Sequence, residues 1–221
     1  SDGRGRAKGT RAGGGYRPSV VTSLYSDDGG DTWQAGELVA RTGDELEGIP
    51  IVNPSETVAA ELADGRVMFN LRSESMNNRR LIATSDDGAT GWRLERFDPQ
   101  LIEPVCMASL IRYDWPEGNK PSRLVFANPA TLNTGMRPNL DPATSPHRNR
   151  ENLTVRVSED DGRTWPHARV IEPGPAGYSD LAVLPDGRVG ILYEDQQVTR
   201  IFDDRYVTLA RFDLAWIEQG D

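Results

Sequence analysis

Three octapeptides constrain this chain more than any other feature. Ser26–Trp33 reads SDDGGDTW, Ser158–Trp165 reads SEDDGRTW and Ser85–Trp92 reads SDDGATGW. The first two share the pattern S-x-D-x-G-x-T-W. The third keeps its Ser, Asp and Trp but has Ala89 and Gly91 where the others have Gly and Thr. These are turn residues. An aspartate carboxylate accepts backbone N–H groups of its own turn, and glycine takes φ > 0 without steric cost. The tryptophan can pack under the next strand. The intervals between copies are unequal, which argues against a solenoid and for β-propeller blades with insertions in their loops.

The rest of the chain agrees with an all-β fold. Short β-rich runs such as SVVTSLYS, RVMFNLRS, SRLVFAN, NLTVRVS and RVGILYED alternate with Asp-Gly, Pro and Gly turns. Asn128 to Asn149 reads as one extended loop, and residues 1–18 as a flexible N-terminal segment ahead of a domain at 19–221. The chain's 221 residues, 37% hydrophobic and 27% charged, can bury a sizeable core. Asn152-Leu153-Thr154 has the form of a glycosylation site, but a strand is expected there.

Composition also excludes. A net charge of −9 argues against general nucleic-acid binding. No apolar run is long enough to span a membrane, and SDGRGRAKGTRAGGGYRP lacks the apolar core of a signal peptide. The single cysteine, Cys106, rules out an internal disulfide, and with only His147 and His167 beside it a His/Cys metal site is not expected. The compartment is left open, a secreted or extracellular one included.

A second repeat places polar residues. Glu61–Arg72, ELADGRVMFNLR, parallels Val183–Glu194, VLPDGRVGILYE, through the shared L-x-D-G-R-V. Glu56 lies eight residues before Asp64, and Tyr178 eight before Asp186. Arg72 lies eight after Asp64, and Glu194 eight after Asp186. Two pairs of polar residues therefore hold equivalent places in two repeats. In a radial array of sheets all four can converge on one mouth.

The octapeptides resemble the Asp-boxes of the sialidase (neuraminidase) family. YSDLAVLPDGRVGILYE is similar to the nucleophile segment of the exo-sialidases, NPSETVAAELADGRVMFNLRS to their glutamate-bearing segment, and HRNRENLTVRVSEDDGRTWP to the segment with the last arginine of their carboxylate-binding triad. The resemblance runs from about Ser19 to Trp216. It implies a six-bladed propeller that removes terminal sialic acids from glycoproteins, glycolipids and oligosaccharides with retention, without metal or cofactor. It further implies Tyr178 as nucleophile, Glu56 as its base, Arg72 and Arg150 as two of three arginines on the substrate carboxylate, and Glu194 as the residue holding an arginine of that triad. Arg148 competes with Arg150, which the family's spacing favours. By residue type alone, Tyr178 would be an ordinary strand tyrosine and the others surface charges.

The implied chemistry explains the residue types. Sialic acid bears a carboxylate on its anomeric carbon. A carboxylate nucleophile there would meet a like charge, at a cost on the order of several kcal/mol. A neutral phenol avoids the repulsion. With a reference pKa of about 10 it needs an adjacent base. Arginine suits the carboxylate because its fork donates two parallel hydrogen bonds.

The family's opening segment, with the first triad arginine and an acid/base aspartate, has no counterpart here, and Arg17 is not assigned to it. Blades of about 40 to 60 residues give this chain four or five. It therefore reads as the C-terminal part of a sialidase-like domain, expected to be weak or inactive alone. Two alternatives stand beside an exo-α-sialidase. One is a non-catalytic propeller that binds sialylated or other anionic glycans. The other is a different Asp-box propeller with another glycan substrate.

Overall fold

The computed structural model describes residues 17–118, 120–133, 149–195 and 206–220. Fourteen strands and one short helix occur among them. β1 (Val20–Tyr25) and β2 (Gln34–Arg41) form a hairpin, followed by the minor hairpin of β3 (Glu45–Leu46) and β4 (Ile49–Pro50). β5 (Thr57–Glu61), β6 (Val67–Leu71), β7 (Arg79–Ser85) and β8 (Arg93–Ile102) make a four-stranded antiparallel meander. β9 (Ser109–Asp114), β10 (Arg123–Pro129), β11 (Glu151–Ser158), β12 (His167–Val183), β13 (Val189–Asp195) and β14 (Tyr206–Phe212) form a continuous ribbon ending in α1 (Leu214–Glu218).

β12 turns that ribbon into two blades. Residues 167–175 pair with β11, and residues 176–183 pair with β13. One strand is thus the last of the third sheet and the first of the fourth. The described residues accordingly build two four-stranded blades of a β-propeller, with a two-stranded sheet before them and a three-stranded one after. Asn128 and Pro129 belong to β10. Most of the expected Asn128–Asn149 loop, with His147 and Arg148, lies outside the described residues, as do residues 1–16.

The core lies between sheets, in three layers. Val21, Val39, Leu71 and Leu81 join the first and second sheets. Met68, Ile82, Leu110 and Phe126 join the second and third. Val125, Val155, Leu181 and Ile191 join the third and fourth. Face-to-face burial of this kind draws the first strands together. β5 packs beside β9 and β9 beside β12, and the Ser109 and Ser179 hydroxyls meet at 3.1 Å.

The Asp-boxes behave as their residue types require. In the third, Asp160 accepts the Thr164 N–H at 2.8 Å and its hydroxyl at 2.7 Å, and Ser158 Oγ accepts the Gly162 N–H at 2.8 Å. The first box repeats these bonds with Asp28, Thr32 and Ser26. The irregular second box achieves the same closure one residue early. Asp87 takes the N–H and hydroxyl of Thr90, each at 2.7 Å, and Gly88 supplies the positive φ.

The boxes also staple blades together. The Trp165 amide donates to Gln100 at 2.9 Å and its indole N–H to Asp98 at 3.2 Å, both on β8 of the preceding sheet. Its ring lies 5.6 Å from that of Phe126. In the second box, Gly91 N–H donates to the Glu37 carboxylate at 2.8 Å, and Ala89 C=O accepts Glu37 N–H at 2.7 Å. Gly36 is needed at this contact, because a Cβ there would fall 2.6 Å from the Ala89 oxygen.

Candidate active site

The two L-x-D-G-R-V turns close identically. Leu62 N–H donates to Arg66 C=O and Gly65 N–H to Leu62 C=O. Leu184, Arg188 and Gly187 do the same. Gly65 and Gly187 sit at φ +86° and +81°, where a side chain would be strained. Equal turns fix equal counts along the flanking strands. Glu56 precedes β5 with its carbonyl accepting the Arg72 N–H at 3.1 Å. Tyr178 on β12 faces the end of β13, and its own N–H donates to Glu194 Oε2 at 2.7 Å.

Packing of the blades then unites the two repeats. The Tyr178 hydroxyl donates a short hydrogen bond to Glu56 Oε1. Arg72 Nη1 donates to Glu56 Oε2 and lies 3.3 Å from the Tyr178 oxygen. Arg150 precedes β11 and is tied to β12 by its carbonyl, which accepts Ala176 N–H at 2.9 Å. Its guanidinium carbon stands 5.1 Å from the centre of the Tyr178 ring. All five residues singled out from the sequence thus belong to one cluster or touch it. Arg72 and Arg150 are buried, whereas Tyr178 and Glu56 are half-buried and reachable.

The electrostatics follow from this arrangement. Burial raises the Tyr178 pKa, and the hydrogen bond to Glu56 and its charge raise it further, against the pull of Arg72 and Arg150. At neutral pH the phenol keeps its proton. Burial opposes the charge of Arg72, but the adjacent Glu56 carboxylate outweighs it with the help of other anions, and the pKa rises. A neutral hydroxyl held against a carboxylate, with two cations alongside, can lose its proton to that carboxylate as it attacks an electrophile. The cations suit a carboxylate-bearing ligand.

Other residues near the site were not legible as functional. Arg80 and Glu103 form a buried ion pair on the β7–β8 sheet. Val105 holds φ +64°, and its carbonyl accepts Arg150 Nη2 at 3.1 Å. Arg17 pairs with Glu74. Neither the ion pair nor the carbonyl lies in a repeat, so the internal symmetry that reveals Tyr178 and Glu56 is silent about them. Among the described residues no group of His, Cys, Asp and Glu side chains is arranged to hold a metal ion, and no helix is long and apolar enough to cross a membrane.

Stacked antiparallel sheets stapled by Asp-boxes, with a phenol bonded to a carboxylate beside two buried arginines, define the class: part of an Asp-box β-propeller. Residues 10–191 match the BNR repeat-like domain, and the chain belongs to that family. A sialidase of Micromonospora viridifaciens is 36% identical over 200 residues, covering 89% of this chain and 26% of that protein. A sialidase of Bacteroides fragilis is 32% identical over 175 residues, covering 77% and 27%. The solved structure of Hadza microbial sialidase Hz136 superposes with a TM-score of 0.65 at 27% identity, covering 88% of this chain and 32% of that one. The chain therefore spans about a quarter of the length of these two curated relatives.

Proposed function

We propose that this chain carries the nucleophile, its base and two substrate-gripping arginines of a retaining exo-α-sialidase. One observation carries the reading: the Tyr178 hydroxyl donates to Glu56 with Arg72 touching both. Arg72 and Arg150 hold the sugar carboxylate. Tyr178 Oη attacks the anomeric carbon, its proton passes to Glu56, and the bond to the departing glycan oxygen breaks. That oxygen takes a proton from an acid that the resemblance does not locate in this chain. Water then displaces the phenolate oxygen from the same carbon, giving up one proton to the conjugate base of that acid, and the phenolate recovers its proton from Glu56. Two inversions leave the configuration retained. Glu194 steadies the nucleophile through the Tyr178 amide and, as the resemblance implies, holds an arginine of the carboxylate-binding triad.

The substrates are sialylated glycans. The test uses the full-length protein and an aryl sialoside. Wild type releases sialic acid, whereas Tyr178→Phe and Glu56→Gln each lose about 10²- to 10⁴-fold in turnover. Unchanged turnover in both variants sinks the reading. Calorimetric binding of sialic acid without any hydrolysis, unaffected by Tyr178→Phe, would instead identify a glycan-binding propeller.

A further inference from the structure

We propose that the buried Arg80–Glu103 pair is a positioning device: it fixes the Val105 carbonyl so that Arg150 is held over the Tyr178 ring. The proposal rests on the sialidase reading and adds residues to it.

The geometry runs from the core outward. Arg80 is fully buried and Glu103 is 1% exposed. The guanidinium donates from Nε to the Asn70 side chain at 2.6 Å and from Nη2 to the Asn70 carbonyl at 2.9 Å. Nη1 reaches both Glu103 and the Cys106 carbonyl, the latter at 3.2 Å. The other Glu103 oxygen accepts the Cys106 N–H at 2.8 Å. The ion pair therefore grips Cys106 by both its amide and its carbonyl. The residue before it, Val105, is left at φ +64°, a conformation that a β-branched side chain resists and that persists only where its surroundings impose it. The outcome of that imposed conformation is a carbonyl aimed at Arg150 Nη2, 3.1 Å away.

A simpler arrangement would have served stability. A buried ion pair adds little to folding compared with apolar residues of the same volume. Here Asn70 anchors two of the Arg80 donors, and Nη1 with the Glu103 carboxylate serves the loop between β8 and β9, one residue away from a contact of the site. A guanidinium that must meet a carboxylate with two parallel bonds tolerates little misplacement.

The test uses the full-length protein, an aryl sialoside for kinetics and sialic acid for binding. Glu103→Gln, Val105→Gly, Arg150→Ala and the two double variants with Arg150→Ala are compared. Val105→Gly takes φ +64° without strain, so it loosens the carbonyl and leaves the ion pair in place. It decides the matter if Glu103→Gln does not fold. Each single variant is expected to raise KM and weaken sialic acid binding by about 10-fold or more, with a smaller change in kcat. In the Arg150→Ala background neither adds a further loss, because the residue they position is gone. Losses that repeat in full in that background overturn the proposal and leave a stability role only. Wild-type KM in both variants, with Arg150→Ala impaired, also overturns it while the sialidase reading stands. If Arg150→Ala itself leaves KM and sialic acid binding unchanged, the sialidase reading fails, and this proposal with it.

Discussion

Tyr178 donates its phenolic proton to Glu56, 122 positions away in the chain and two blades away in the fold. No local rule brings these residues together. Each stands at the start of the first strand of its blade, and the β9 blade lies between them. The hydrogen bond therefore depends on both inter-blade core layers being in place. It links a packing result to an acid–base pair.

The charge of that pair can be read from the phenol. Burial and the Glu56 carboxylate both raise the Tyr178 pKa, while Arg72 and Arg150 lower it. Glu56→Gln removes an anion and leaves the cations, so the phenol ionises at lower pH than in wild type. Difference absorbance in the phenolate band, with Tyr178→Phe subtracted, measures the change. An unmoved or raised titration contradicts the contact.

Arg72 is expected to resist its conservative replacement. Nη1 serves Glu56 and lies 3.3 Å from the Tyr178 oxygen, and the side chain is buried. A lysine ammonium is a point charge without the planar fork. In the full-length protein, Arg72→Lys should lower kcat/KM for an aryl sialoside by about 10²-fold. Wild-type kinetics would show that the fork is not used.

Two tryptophans of the same motif separate local from tertiary roles. Trp165 is 2% exposed and bonded to the preceding blade, whereas Trp33 is 64% exposed. Trp165→Ala should cost about 3–5 kcal/mol in denaturant unfolding, as for a large buried aromatic. Trp33→Ala in this same 221-residue chain should stay within about 0.5 kcal/mol of wild type, as for a surface substitution. Equal effects would refute the staple.

Acid should loosen the boxes. The hydroxyl and amide of Thr32 hold Asp28 near a pKa of about 2, below its ordinary 3.8. For Asp160, burial acts upward, but the bonds from Thr164 and Ser158 prevail and the pKa falls. A carboxyl whose pKa is depressed on folding binds its proton more readily in the unfolded chain. Its stabilisation is complete above the unfolded value and disappears as pH falls toward the folded one. Melting temperature should hold between pH 7 and about 5 as far as these groups are concerned, then fall from about pH 4 toward 2. Asp160→Asn should flatten part of that fall. A wild-type slope in this variant would exclude Asp160 as a source.

Much of the site was legible because turns count residues. The Asp-Gly-Arg turns close with the same bonds in both repeats, so Glu56 and Tyr178, and Arg72 and Glu194, fall at matching places. The boxes were legible for the same reason: the bonds that close each turn span at most five residues. The sequence did not reveal that Thr90 replaces the expected Thr one position early in the second box. Nor did it reveal that β12 serves two blades, because a stretch such as PGPAG lacks the residue types that favour strands.

The sequence by itself determined the strands, the turns and the order of polar residues along them, since these depend on hydrogen bonds between near neighbours. Only the tertiary structure decided that Trp165 is buried and Trp33 exposed, that Glu194 takes the Tyr178 amide, and that Arg80 and Glu103 grip the chain beside Val105. Those outcomes depend on which sheet lies opposite. Desolvation and long-range contact exist only once the blades have packed.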